Sequence, residues 1–316
     1  LSNNPTDTAT ATTTAELPNN QLALGISLNL LAFFCFAVMD TSAKWLAMMG
    51  VVAVQVTFLR YFFHLLWVVI LYVPREGLSI FRSGKPQWQA LRALFLLGAT
   101  FFNFAALNYL PLTITIAIFF SSPLIVCLLS IPVLGEKVGL HRLTAVAAGF
   151  IGVLVIVAPW NEHFDVHVFL SLAAALCAST YFVLSRKIAG VDRNAVSQAY
   201  VAGISTVAMA PLAFALSDWN MSLNTWGVAI LLGSLGMLGH SVLTRAHCYV
   251  EASVLAPTVY SQILYITFFS WIFFDSPPNQ RTIIGTAIIA LSGLYLWRRE
   301  RRLSKVYEEK LVKKAG

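Results

Sequence analysis

The sequence predicts an all-α polytopic membrane protein: ten transmembrane helices arranged as two inverted five-helix repeats. Three observations lead there. Apolar residues make up 58% of the 316-residue chain and charged residues only 11%, against roughly 25% charged in a soluble domain, so most of the surface must face lipid. The apolar residues fall into ten runs of about 20, the length a helix needs to cross the hydrocarbon core. Because the runs are continuous rather than alternating, a β-barrel is excluded. The second half also echoes the first. Cys35 and Lys44 lie nine residues apart, as do Cys177 and Arg186, displaced by 142. Pro123 and Glu136 fall opposite Gln262 and Asp275, displaced by 139. Each acidic member closes an apolar run, followed by a short polar stretch and a further apolar run.

Taken in order, residues 1–21 are polar and nearly uncharged and read as a disordered cytoplasmic tail. They have neither the basic n-region nor the apolar h-region of a signal peptide. The chain opens on Leu1 rather than Met, which reads as a processed or differently initiated start. The spans are expected at 22–47, 51–73, 88–109, 112–134, 141–159, 164–187, 195–216, 225–249, 253–274 and 281–298. Basic residues orient them. With both termini in the cytoplasm, the inner loops hold Arg75, Arg82, Lys85, Arg92, Lys137, Arg142, Arg186, Lys187 and Arg193. The tail adds Arg298, Arg299, Arg301, Arg302, Lys305, Lys310, Lys313 and Lys314, so 17 of the 21 Lys and Arg lie inside. The outer loops at 109–112, 160–166 and 217–224 carry none. The net charge of +7 therefore reports topology and attraction of the tail to anionic lipid, and it gives no support to nucleic-acid binding. Five spans per half invert the second half by parity. The expected units are a first repeat at 22–160, a second at 161–298 and a basic cytoplasmic tail at 299–316. Many carriers are built from such halves, with the substrate site where they meet.

Chemistry of other kinds finds little footing. The four cysteines, Cys35, Cys127, Cys177 and Cys248, lie within spans without CxxC spacing and read as packing residues. Glu162, His163, Asp165 and His167 crowd an outer loop but read as a solvated loop rather than metal ligands. Neither HExxH, GxSxG nor a P-loop is present, so no enzyme and no cofactor is expected. A gradient, of substrate alone or coupled to an ion, must then drive any transport.

Ser121-Ser122-Pro123 through Leu134-Gly135-Glu136, followed by Gly149 and Gly152, resembles the hallmark of the drug/metabolite transporter superfamily in its ten-helix EamA-type branch. A second copy runs from Ala256-Pro257 through Phe274-Asp275 to Gly285 and Gly293, with Asp in place of the usual Glu. The resemblance covers about 24–298 and is closest to bacterial amino-acid exporters, particularly of aromatic amino acids. It implies a carrier in the inner (plasma) membrane with a central cavity lined by the third, fourth, eighth and ninth helices. It also implies rocking of the first, second, sixth and seventh helices against that core.

The residues themselves point to the same helices. Polar groups inside a bilayer are costly and usually face the bundle interior. The third span offers Asn103 and Asn108 among aromatics. The fourth offers Phe119, Ser121, Ser122 and Pro123, where proline strips a carbonyl of its helical partner. The eighth places His240, Thr244, His247 and Glu251 on one face, and the ninth offers Tyr260, Ser261, Gln262 and Tyr265. The substrate-binding candidates are His240, Asn103, Phe119, Ser122, Pro123, Tyr260, Gln262 and Tyr265, with His240 foremost. Each also has a plainer role: aromatics pack against lipid, Asn and Ser join helices, and His247 and Glu251 are interfacial. Gly233, Gly236 and Gly239 read as a close helix contact. Asp40 on the first span and Arg60 on the second lie at similar depths, roughly 10 and 13 Å by the 1.5 Å rise per residue. They are expected to form an intramembrane ion pair, the alternative being Asp40 with Lys44 one turn away.

The expected function is export of amino acids, aromatic or otherwise apolar, by alternating access. The partners are a small amino-acid-like substrate and the lipid bilayer, and the working unit is a monomer or else a dimer. The alternatives are a carrier for a nucleotide sugar or amphipathic drug, and a channel.

Overall fold

The computed structural model of the chain describes residues 19–134, 140–158, 160, 165–188, 190–249, 255, 258–259 and 261–315; the side chains at 19, 20, 22, 123, 134, 140–143, 247, 296, 297 and from 300 onward lie outside that description. Among the described residues there is no strand. The helices whose bounds the described residues give are, in order, α1 (Asn19–Met48), α2 (Ala53–Glu76), α3 (Pro86–Leu107), α4 (Leu112–Phe119), α5 (Ser122–Leu134), α6 (Leu140–Val157), α7 (Val168–Lys187), α8 (Asn194–Leu216), α9 (Leu223–Tyr249), α10 (Ser261–Phe274) and α11 (Gln280–Ala315). A short 3₁₀ turn, Gly77–Phe81, joins α2 to α3. Seven segments are long and apolar enough to cross a membrane, α4 and α5 counting as one, and 144–157 and 261–274 are shorter apolar helices. With the apolar start of α11 they give the ten spans. The ninth span is described as helix over Ser261–Phe274, most of 250–260 lying outside the described residues, and α11 carries the tenth span on through the basic tail as helix. Residues 1–18 of the expected tail lie outside the described residues, and 19–21 are helical.

Proline explains the interrupted fourth span. A proline at 123 has no N–H for the carbonyl of Phe119. Instead Ser122 Oγ donates to Phe119 O at 2.6 Å, and Ser121 Oγ donates to Ile118 O at 2.7 Å. The two hydroxyls thus satisfy the break from within the chain. Asp275 closes α10 with φ +47, a left-handed ending that Asp tolerates better than most residues. It is scaffold; Glu136, its opposite number, lies outside the described residues.

The packing of the helices repeats under exchange of the halves. α1 packs on α9 as α7 packs on α3, α2 on α9 as α8 on α3, and α1 on α10 as α7 on α5. The pairs that map onto themselves, α2 with α8 and α6 with α11, also touch. At the α6–α11 crossing the contact is reciprocal: a Cβ on Gly152 would lie 2.7 Å from Gly285 O, and one on Gly285 would lie 2.5 Å from Gly152 O. Small residues allow such approach in membranes. The same device recurs where Gly98 meets Cys177 (α3–α7) and Gly239 meets Phe36 (α9–α1). Gly233 presses on the α2 backbone, so the 233–236–239 stripe is the close contact expected of it. Large apolar side chains such as Phe150, Phe268, Trp271 and Phe273 are exposed on the outer faces of α6 and α10, where lipid covers them.

Candidate functional site

Twenty-six polar or charged residues are buried among the described ones, and two places among them bring charged or titratable groups together with amides. The first is centred on Asp40, on α1. Its Oδ1 accepts from Asn103 Nδ2 of α3 at 3.3 Å, and its Oδ2 accepts from Gln262 Nε2 of α10 at 3.2 Å. The first, third and ninth spans are therefore tied through one carboxyl group well inside the bundle. Beside Gln262, the buried hydroxyl of Ser261 has no hydrogen-bond partner.

The second place lies between α2, α8 and α9. Arg60 is 2% exposed. Its guanidinium lies over the Tyr61 ring at 4.4 Å, Nε donates to Met39 Sδ at 3.4 Å, and Nη1 has no partner. One turn on, His64 Nε2 meets Gln198 Oε1 at 3.1 Å, and the His64 ring stacks with His240 at 6.2 Å. His240 is half-buried, packs against Phe36 at 5.0 Å and makes no ring hydrogen bond among the described residues. The Arg60 charge acts on Asp40, His64 and His240 alike, so the two places form one electrostatic unit.

A direct Asp40–Arg60 contact is thus replaced by a longer-range action of the Arg60 charge on Asp40. The amides of Asn103 and Gln262 occupy the carboxyl group, while Arg60 rests on Tyr61 and Met39. The alternative with Lys44 is replaced as well, because Lys44 Nζ donates to Leu107 O at 2.6 Å and Leu110 O at 3.0 Å. It caps the carbonyl end of α3, where a cation is favoured. Ion pairs among the described residues include Arg193–Glu76 and His167–Asp165.

The other sequence candidates separate. Ser122 spends its hydroxyl on its own turn, and its carbonyl accepts from Ser179 Oγ of α7 at 3.1 Å. Phe119 ends α4, half-buried against the main core. Tyr265 meets Phe34 edge-on at 5.4 Å, toward the lipid side of α1. Tyr260 and the side chain of Pro123 lie outside the described residues. Thr244 bonds back to His240 O, and Asn108 to the carbonyls of its own helix. Asp165 and His167 bond to each other, and His167 stacks on Tyr109. Gln198 was not singled out from sequence, although a lone amide inside the seventh span is the signal that could have found it. Near the far end, Lys44, Met48, Tyr109, Leu112, Ser270 and Phe274 line a cleft of about 250 Å³ between α1, the α3–α4 turn and α10.

Sequence comparison decides the family: residues 23–158 and 166–298 each match the EamA-like transporter family. The chain belongs to that family. Similar EamA-like chains include a riboflavin transporter of Brucella anthropi, 27% identical over 85% of this chain and 97% of that one. A pseudopaline exporter of Pseudomonas aeruginosa is 26% identical over 88% and 97%. An S-adenosylmethionine uptake transporter of Rickettsia prowazekii is 26% identical over 86% and 92%. A solved crystal structure shares the fold with a TM-score of 0.58 at 19% identity, covering 90% of this chain and 99% of its own. The protein is a multi-pass membrane transporter and not an enzyme.

Proposed function

We propose that the protein is a carrier for amino acids or amino-acid-like metabolites, working by alternating access between its inverted halves in a bacterial inner membrane, with both termini cytoplasmic. The observation that carries this is the Asp40–Asn103–Gln262 node. A carboxyl group held by two amides from different spans has lone pairs left for an ammonium group, and an intramembrane acid marks a substrate or ion path by default. Asn103 and Gln262 position it, while the half-buried ring of His240 offers a surface to the body of the cargo. Export is the direction favoured by the resemblance to amino-acid exporters, and one similar chain bears an exporter's name. S-adenosylmethionine, named for another, is a methionine derivative.

A second reading has its own support. The riboflavin transporter among the similar chains favours a carrier for a larger aromatic metabolite, for which stacking surfaces count more than the acid. Proteoliposome flux with labelled phenylalanine, tyrosine, methionine, S-adenosylmethionine and riboflavin separates the two. Saturable uptake of an amino acid with trans-stimulation is expected, and His240→Ala should lower it by on the order of tenfold, a loss of about 1.4 kcal/mol. Riboflavin flux alone would favour the second reading, and non-saturating flux a channel. Equal transport by His240→Ala would remove that residue from the site.

A further inference from the structure

We propose that Arg60 is the anion anchor of the transported molecule: its free Nη1 takes a carboxylate or phosphate oxygen of the cargo. The inference rests on the carrier reading and deepens it. A guanidinium has five donors and is always charged, and inside a bundle its desolvation must be repaid by an anion or by well-made hydrogen bonds. Arg60 has neither. It is 2% exposed, its Nε reaches only a thioether, its charge rests on the Tyr61 ring, and Nη1 is unpartnered. Asp40, the acid its charge acts on, gives both oxygens to amides from other spans.

A neighbouring side chain on the same helix offers a complementary contact. His64 is fully buried, and with Gln198 Oε1 as its partner, Nε2 carries the ring proton. That leaves His64 Nδ1, also unpartnered, as an acceptor for an N–H or O–H of the cargo. On the facing helix Gly236 puts no side chain over Arg60; even a Cβ there would come only to 3.7 Å from Nε. A buried donor, a buried acceptor and the Asp40 carboxyl group together suit a molecule with an anionic oxygen next to a hydrogen-bond donor. An α-amino acid fits that description, as does a phosphorylated metabolite with a neighbouring hydroxyl.

The test measures binding by purified protein of two matched pairs: L-phenylalanine against L-phenylalaninol, and riboflavin 5′-phosphate against riboflavin. Wild type is expected to prefer the anionic member of at least one pair by on the order of tenfold or more, as a charge-assisted hydrogen bond allows. The responding pair tells carboxylate from phosphate. Arg60→Gln should bring that ratio near one while the neutral member still binds, and Arg60→Lys should keep part of it. Without ligand, Arg60→Gln should melt no lower than wild type. The proposal is overturned if neither pair shows an anionic preference, if the preference survives Arg60→Gln, or if Arg60→Gln melts lower or fails to fold. The carrier reading fails by a different result, the absence of saturable flux of every probe by wild-type vesicles.

Discussion

Asp40 is held at both oxygens by neutral amides, and those amides have few other partners at their depth. Replacing it by asparagine turns one oxygen into an NH₂ group, so one of the two donors, from Asn103 or Gln262, then faces a donor. Leaving a buried polar group unsatisfied costs about 1–3 kcal/mol. Removing Asn103 instead takes one donor from Asp40 but sets no donor against another and leaves the carboxyl group its bond from Gln262. Its cost should lie nearer the roughly 0.6 kcal/mol of an average interhelical hydrogen bond in membrane proteins. Thermal melting in detergent is therefore expected to fall clearly for Asp40→Asn and only slightly for Asn103→Ala, with flux lost in the first. Equal melting of the two variants would mean that the carboxyl group does not organise the node.

At the scale of the helix, glycine decides where spans cross. Adding one methyl group at Gly285 would bring Cβ to 2.5 Å from a backbone oxygen and 2.4 Å from Ile156 Cγ1. The carbonyl cannot rotate away, so Gly285→Ala should destabilise by about 1–3 kcal/mol, as overpacking does. Gly203 on α8 has nothing within 4 Å of an added Cβ. There the same change should be neutral or stabilising by up to about 1 kcal/mol, from helix propensity alone. Melting curves of the two variants check this, and a Gly285→Ala protein as stable as wild type would show that the crossing can slide. These contacts explain what was legible in the sequence. Apolar runs, loop charges and repeated glycines are local or periodic signals, so the ten spans and the halves followed from them. The partner of a particular charge is not such a signal. Asp40, Asn103 and Gln262 are 63 and 222 residues apart along the chain, and depth alone brought Asp40 and Arg60 together on paper. Three-dimensional packing gave the carboxyl group to amides that arrive from other helices. Ser122 carries a related ambiguity: a hydroxyl beside a proline break is as useful to the backbone as to a ligand, and here it donates to Phe119 O.

For the molecule as a whole, inverted halves imply matched contacts at the two membrane faces, but the two sets differ in chemistry. On the face carrying the termini, Asp192 accepts from Ser83 Oγ, Gly84 N and Gln89 Nε2, and Arg193 pairs with Glu76. On the opposite face Trp219 packs among Phe58, Phe214 and Trp226, with Gln55 donating to the carbonyl of Asp218. The first clasp hangs on the Asp192 carboxylate. At the other face the Asp218 carboxylate accepts within its own loop, from Asn220 N, and aromatic packing holds the segment, so acid should loosen chiefly the first. Partial burial works to raise the Asp192 pKa, but the hydrogen bonds from Ser83, Gln89 and Gly84 and the charge of Arg92 outweigh it and hold the pKa below the ordinary 3.8. A group whose folded pKa is depressed contributes stability that is present above its unfolded pKa and lost as pH falls through the folded value. The 77–85 connection should therefore stay closed above about pH 4 and open as the pH falls further. Hydrogen exchange, corrected for its intrinsic pH dependence, should rise more in 77–85 than in 217–222, and Asp192→Asn should remove the difference. An equal response at both faces would show that acid acts on the bundle at large, and the clasp at Asp192 would then have no separate part in closing that face.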